Sequence, residues 1–219
     1  MSRPIVLSWS TGKDSAWMLH ELRRDPAWAP VGLLSCLHAG EVTMHRVGRE
    51  LLGAQARAVG LPLREVALPW PCSNARYEAR LGAALDALAA EGIGHVAFGD
   101  LHLADIRRYR EDLLARHGLE AVFPLWGEDT AALATRMLDA GLQARVVCVD
   151  TARLDPAFTG RRFDAAFLAE LPAGTDPCGE FGEFHTFTEN APGFQAPVAV
   201  RAGEPWQDGP FSHLPLSAT

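Results

Sequence analysis

The feature that most constrains this chain is the alternation, through its N-terminal half, of short apolar runs with longer stretches of helical spacing. Pro4-Ile5-Val6-Leu7-Ser8 has the length of a buried strand. A loop of Gly, Ser and Thr follows, then Ala16, Leu19 and Leu22, which share one helical face. Val31 to Leu37 is a second apolar run, and Val47, Leu51, Ala54 and Ala58 mark a second amphipathic helix that Gly60 stops. Leu63 to Leu68 reads as a third strand, broken by Pro69-Trp70-Pro71. Leu81, Leu85 and Leu88 line a third helix closed by Gly92 and Gly94, and His95-Val96-Ala97-Phe98 is a fourth strand ending at Gly99-Asp100. Strands and helices alternating in this way predict an α/β fold with a mainly parallel, doubly wound sheet and right-handed crossovers.

Past Trp126 the texture changes. A helix over about Glu128 to Ala140 and a strand over Ala144 to Val149 are followed by Gly- and Pro-rich stretches of little periodicity. The expected division is a sheet domain over residues 1–125 and a smaller α+β domain over 126–219. Hydrophobic residues at 48% and charged residues at 21% suit a folded body. A formal net charge of -7 works against a nucleic-acid backbone, so the cluster Arg107, Arg108 and Arg110 reads as a solvated helix face. Cys36, Cys72, Cys148 and Cys178 form no CxxC pair, and two of them sit inside apolar runs, which predicts reduced thiols. No signal-peptide pattern follows Met1, and no run is long enough to span a membrane, so a cytoplasmic protein without membrane contact is expected. His20, His38, His95, His102, His117 and His213 show no zinc-ligand spacing.

Ser8-Trp9-Ser10-Thr11-Gly12-Lys13-Asp14-Ser15 lies between the first strand and the first helix, where backbone N–H groups and the helix dipole favour an anion. Ser8, Ser10, Thr11 and Ser15 add hydroxyls, Gly12 lets the backbone approach closely, and Lys13 offers a point charge. Asp14 beside phosphate makes sense as a Mg²⁺ ligand or a helix cap. The spacing is not that of a Walker A loop, which excludes a P-loop kinase or GTPase reading. Trp9 has the choice of packing in the core or touching a ligand.

Ser10-Thr11-Gly12-Lys13-Asp14-Ser15 resembles the PP-loop, usually Ser-Gly-Gly-x-Asp-Ser, with Thr11 in place of a glycine. Asp176-Pro177-Cys178-Gly179-Glu180-Phe181-Gly182-Glu183-Phe184-His185-Thr186-Phe187 is similar to the C-terminal signature of the diphthine–ammonia ligase family of N-type ATP pyrophosphatases. Met44-His45, Phe98-Gly99-Asp100 and Pro124-Leu125-Trp126 fall in the matching order. The resemblance implies a HUP-like sheet domain and ATP with Mg²⁺ as cofactors. It further implies adenylation of a carboxylate with release of pyrophosphate, then transfer of the acyl group to ammonia. It places the nucleotide at Ser8, Ser10, Thr11, Gly12, Lys13, Ser15, His45, Gly99 and Asp100, and the metal at Asp14.

Glu180, Glu183 and His185 lie close together in an irregular segment and could converge on one pocket. There carboxylates bind an ammonium or take its proton and a histidine acts as acid or base. With Lys13 and Asp14 they make the expected catalytic set. In archaea and eukaryotes the resembled family amidates diphthine on elongation factor 2. The Ala- and Arg-rich composition points instead to a GC-rich bacterial gene, whose substrate would be another carboxylate. Two rivals stand beside the ligase: a tRNA-modifying PP-loop enzyme, against which the isolated cysteines argue, and an adenine-nucleotide-binding module without catalysis. A homodimer is the common arrangement for enzymes of this size.

Overall fold

The computed structural model describes residues 2–219. In chain order the N-terminal elements are β1 (Arg3–Ser8), α1 (Lys13–Arg24), β2 (Trp28–His38), β3 (Glu41–Val42), β4 (Val47–Gly48), α2 (Arg49–Val59), β5 (Leu63–Leu68), α3 (Asn74–Ala90), β6 (His95–Ala97), α4 (Ala104–Ala115) and β7 (Glu120–Val122). The strands β5, β2, β1, β6 and β7 lie side by side and pair in parallel. Beyond the end of β1, the antiparallel pair β3–β4 continues along β2.

Side chains alternate across a strand, and each face finds its own cover. Ile5 and Leu7 pack toward α1 and α2 in one apolar cluster. Val6, Leu34, Val66 and Val96 pack in a second cluster with Leu81, Leu85 and Leu88 of α3 and Leu113 and Leu114 of α4. The sheet is therefore doubly wound, as the sequence pattern predicts.

The C-terminal elements are α5 (Thr130–Asp139), β8 (Gln143–Asp150), a 3₁₀ turn (Pro156–Phe158), β9 (Arg162–Phe163), α6 (Ala165–Glu170), β10 (Phe184–Asn190), β11 (Val200–Ala202), β12 (Trp206–Asp208), β13 (Phe211–His213) and β14 (Leu216–Ala218). β10, β8, β13 and β12 form an antiparallel sheet with β9 on β8, and β11 pairs with β14. The first apolar cluster runs on without a break through Leu125, Leu133, Met137, Val146, Phe167, Phe184 and Phe187, so one core joins the two sheets. Among the described residues no helix is long and apolar enough to cross a membrane.

The differences from the sequence reading are local. Val47 belongs to β4, and α2 begins two residues later, with Leu51, Leu52, Gln55 and Ala56 among its buried residues. α4 and β7 carry weak apolar patterns. Only Leu113 and Leu114 of α4 are buried, and β7 has three residues at one end of the sheet. The region expected to be irregular holds six short strands, most of two or three residues, too short to display an alternation.

Gly60 ends α2 in the left-handed region at φ 70, where a side chain is strained whatever the space around it. The atom nearest an added Cβ is the tip of exposed Gln195, which can swing aside. Gly60→Ala is therefore expected to cost about 1 kcal/mol, chiefly from the backbone. Urea unfolding of the two proteins measures this, and an unchanged midpoint would contradict the cap.

Candidate functional site

The loop between β1 and α1 is fixed by its own hydroxyls and by both sheets. Trp9 N donates to Leu34 O at 2.8 Å, Ser35 Oγ donates to Trp9 O at 2.6 Å, and the Trp9 indole is buried, donating to Gln55 Oε1 at 2.8 Å. Trp9 is thus a packing residue. Ser10 N donates to Ser15 Oγ at 3.1 Å, and the two serine hydroxyls are 2.8 Å apart.

Thr11 stands at φ 73, a left-handed conformation that costs an L-residue about 1–2 kcal/mol and is least natural for a β-branched one. Glycine adopts this angle freely, and this chain holds it with threonine. Thr11 O accepts from Thr188 N at 2.9 Å and from Gln55 Nε2 at 3.0 Å.

Gly12 opens α1. A Cβ there would sit 2.8 Å from His45 Cε1 and 3.2 Å from Thr186 O, so only glycine fits without movement. The first N–H groups of a helix have no partner within it. Lys13 N donates to Thr186 Oγ1 at 3.1 Å and Ala16 N to Gly12 O at 3.2 Å. That of Ser15 meets no acceptor among the described residues, and that of Asp14 is met only by its own carboxylate. With the Ser10 and Ser15 hydroxyls alongside, these two N–H groups suit an anion.

Lys13 has its ammonium engaged within the protein. Its side chain is 2% exposed, and Nζ donates to Asp14 Oδ1 at 3.0 Å, to Asp14 Oδ2 at 2.9 Å and to Cys178 O, beside the rings of Phe163 and Phe184. Burial works to lower the Lys13 pKa. The charge and hydrogen bonds of the Asp14 carboxylate, with the more distant Asp176 carboxylate, outweigh it, so the ammonium stays protonated. Asp14 does not cap the helix; the N-cap is Gly12, which has no side chain to do so. Gly99 packs on Asp14, since an added Cβ would lie 3.3 Å from its carbonyl carbon, carbonyl oxygen and Cβ. Asp100 is engaged by Arg110, with Nη2 to Oδ1 at 3.0 Å and Nε to Oδ2 at 2.9 Å, and the same guanidinium covers the Phe98 ring.

The segment from Asp176 to Glu183 closes on itself through carboxylates. Asp176 Oδ1 accepts from Cys178 N at 2.8 Å and Glu180 N at 3.2 Å, and Oδ2 accepts from Thr130 Oγ1 at 2.7 Å. Glu183 is buried. Its Oε1 accepts from Asp176 N at 3.2 Å and its Oε2 from Phe181 N at 3.1 Å. Glu180 Oε1 accepts from Leu101 N at 2.9 Å and His102 N at 2.8 Å, which ties the turn after Gly99-Asp100 to the C-terminal segment. Burial raises the Glu180 pKa, the two backbone bonds oppose it, and the charges of Asp14 and Asp100 raise it further. The Cys178 thiol is pushed up to about 12, first by burial, and faces Thr130 O at 3.4 Å, so it is no thiolate nucleophile.

His45 and His185 meet on the other side of Gly12, with ring centroids 5.0 Å apart. His45 Nδ1 lies 2.9 Å from Thr186 O, a carbonyl that can only accept, so Nδ1 carries the proton. His185 Nε2 is buried without a partner. Burial, then the neighbouring His185, pushes His45 down to about 3; burial, then Lys13 and His213, pushes His185 down to about 4. Both rings are neutral at pH 7.

The structure thus brings Ser10, Gly12, Asp14, Ser15, Gly99 and Glu180 to one place and sets His45 and His185 beside it, while Glu183 faces into its own loop. Ser8 is the last residue of β1, just before the loop. All four cysteines are free thiols. No group of three or more metal-ligating side chains gathers among the described residues. A Mg²⁺ that keeps water and phosphate oxygens needs only one or two carboxylates, and Asp14 fits that smaller demand. Two surface depressions, of about 460 and 350 Å³, are lined by other residues.

Sequence reasoning missed Gln55, Thr186 and Asp176. Gln55 carried a usable signal, an amide four residues after Leu51 and four before Val59 on a buried helical face. Asp176 and Thr186 stood in the signature segment, but no local pattern shows that the Thr186 hydroxyl serves Lys13 N, far away in the chain.

Residues 129–212 match the family model described as the diphthamide synthase C-terminal domain. A diphthine–ammonia ligase of Danio rerio is 35% identical over 108 residues, covering 47% of this chain and 42% of that protein. Those of Homo sapiens and Bos taurus are each 32% identical over 108 residues, covering 47% of this chain and 40% of each protein. The match spans less than half the length of these relatives.

The two histidines give a pH signature. Unfolded, each titrates near the ordinary value of 6.5; folded, they are pushed down to about 3 and about 4. Because the folded values are depressed, the stability held by the neutral rings is complete above about pH 6.5. It drains away as pH falls toward 4, by about 1.4 kcal/mol per pH unit for each ring. The urea midpoint should therefore fall between pH 7 and pH 5, and less steeply in a His45→Gln/His185→Gln variant. Equal slopes in the two proteins would contradict the buried neutral pair.

Proposed function

From the match of residues 129–212 to the diphthamide synthase C-terminal domain and the likeness to diphthine–ammonia ligases, we propose that the chain is an ATP-dependent amide-forming ligase of that family. The observation that carries this reading is the joint construction of the loop at residues 10–15. Its strained turn and its helix N-terminus are held by Thr188, Thr186 and Cys178 of the segment that matches the family model. Diphthine is the substrate in the relatives' names, carried on elongation factor 2 in the family that the sequence resembles, and another carboxylate stands in for it if the gene is bacterial.

ATP supplies an adenylyl group to the carboxylate, releasing pyrophosphate, and ammonia then displaces AMP. The N–H groups of Asp14 and Ser15, with the Ser10 and Ser15 hydroxyls, bind the polyphosphate. Preorganised donors of this kind are the main source of rate in phosphate chemistry. Asp14 would hold Mg²⁺ against the phosphates, and Lys13 fixes its carboxylate. Glu183 and Asp176 keep the C-terminal loop in shape. Glu180 takes a proton from the incoming ammonium: Oε1 is occupied by two backbone donors, and burial has raised its basicity. The neutral rings of His45 and His185 add no positive charge that would repel an ammonium. Free thiols suit a cytoplasmic setting.

The test is AMP formation from ATP and ammonium, supplied with diphthine-bearing elongation factor and with a panel of small carboxylates. Asp14→Ala and Glu183→Ala should each lower it by about 100-fold or more in variants whose thermal melts show them folded. Turnover like the wild type in both variants would discard the mechanism.

A further inference from the structure

Gln55 is fully buried on α2, yet every polar atom of its carboxamide is used. Oε1 accepts from the Trp9 indole at 2.8 Å, and Nε2 donates to Thr11 O at 3.0 Å and to Thr188 O at 2.7 Å. Only this orientation works, because a flipped amide would set its oxygen against two carbonyls. The three partners come from the residue before the turn, from the turn itself and from β10.

We infer that Gln55 is a positioning residue that holds the phosphate loop in its left-handed turn, so that binding of a polyphosphate by this loop depends on a side chain that does not touch it. This rests on the nucleotide reading above for its functional half. Thr11 is the strained residue, at φ 73, and its own hydroxyl helps nothing, since Oγ1 is buried without a partner. What keeps the turn is the grip on the Thr11 carbonyl, from Thr188 N at 2.9 Å and from Gln55. A threonine released from that grip returns to negative φ, which swings the following peptide and misaims the N–H groups that open α1. A glycine would stay in the turn unaided, because it adopts positive φ without steric cost.

The grip and the side chain at position 11 should therefore be coupled, and a double-mutant cycle measures that coupling. The proteins are the wild type, Gln55→Leu, Thr11→Gly and the double variant. Gln55→Met serves in place of Gln55→Leu if the latter does not fold. Gln55→Leu is expected to weaken the Kd for Mg-ATP about tenfold in the Thr11 protein and by less than about threefold in the Thr11→Gly background. Urea midpoints fall in both backgrounds, since the Trp9 indole and the Thr188 carbonyl lose their partner either way. A purely structural Gln55 would weaken ATP binding by the same factor in both backgrounds, and that result overturns the proposal.

A second readout needs no nucleotide. Protection of the Thr188 amide from hydrogen exchange should fall at least about tenfold with Gln55→Leu and return with added Thr11→Gly. If wild-type protein bound no ATP, the nucleotide reading would fail while this restoration still supported the clamp. Unrestored protection would overturn the clamp whatever ATP does.

Discussion

The rest of the site depends on one seam, where the loop between β1 and α1 is bonded to β10 and the segment before it. Thr188 N reaches Thr11 O, Thr186 Oγ1 takes Lys13 N, and Cys178 O takes the Lys13 ammonium. A free helix N-terminus in water would satisfy these groups with solvent. Here the C-terminal half supplies the acceptors, so the conformation of an N-terminal loop is specified by residues more than 150 positions away.

The electrostatics follow from the same seam. An ammonium enclosed by Phe163 and Phe184 would be costly alone, since desolvation of a charge is repaid only by close partners. Asp14 supplies both oxygens within 3.0 Å and Cys178 a carbonyl, so Lys13 stays charged and Asp14 is oriented from behind. On the other side of Gly12 burial has the opposite result. His45 and His185 have no carboxylate against them, and the low-dielectric surroundings leave them neutral. The loop therefore has a fixed dipole of backbone donors, one carboxylate held by a buried cation, and two uncharged rings.

Much of this fold was legible in the sequence, because buried parallel strands and amphipathic helices impose a period that survives in the residues. Leu63 to Leu68 is a strand over the same residues, and Gly60 stops α2 for the reason a glycine does. The period fails where elements are short: β9 has two residues, and β11 to β14 have three each. For the site, Gly12 could be read from its place at the head of the helix and position 11 from the loop it resembles, although what excludes a side chain at Gly12 is the distant His45 and Thr186. The orientation of Lys13 could not, because its partner Cys178 O is a carbonyl and carries no residue type. Nor could the division of labour between Glu180 and Glu183. Three residues apart in sequence, they address different backbones, one the turn at Leu101 and His102, the other its own loop.

The segment that matches the family model begins at residue 129, well after the loop at residues 10–15, and the geometry explains why the likeness still bears on that loop. Asp176 and Glu183 together hold the turn that presents Cys178 O, and Glu180 grips the turn that follows Gly99, itself packed on Asp14. A chain keeping that segment therefore keeps the walls against which residues 10–15 are shaped. A chain that lost its carboxylates would leave Leu101 N, His102 N, Asp176 N and Phe181 N without acceptors, at about 1–3 kcal/mol for each that remained buried. The loop could not relax independently, since its helix start and its strained turn are bonded to the strand that continues from the same segment.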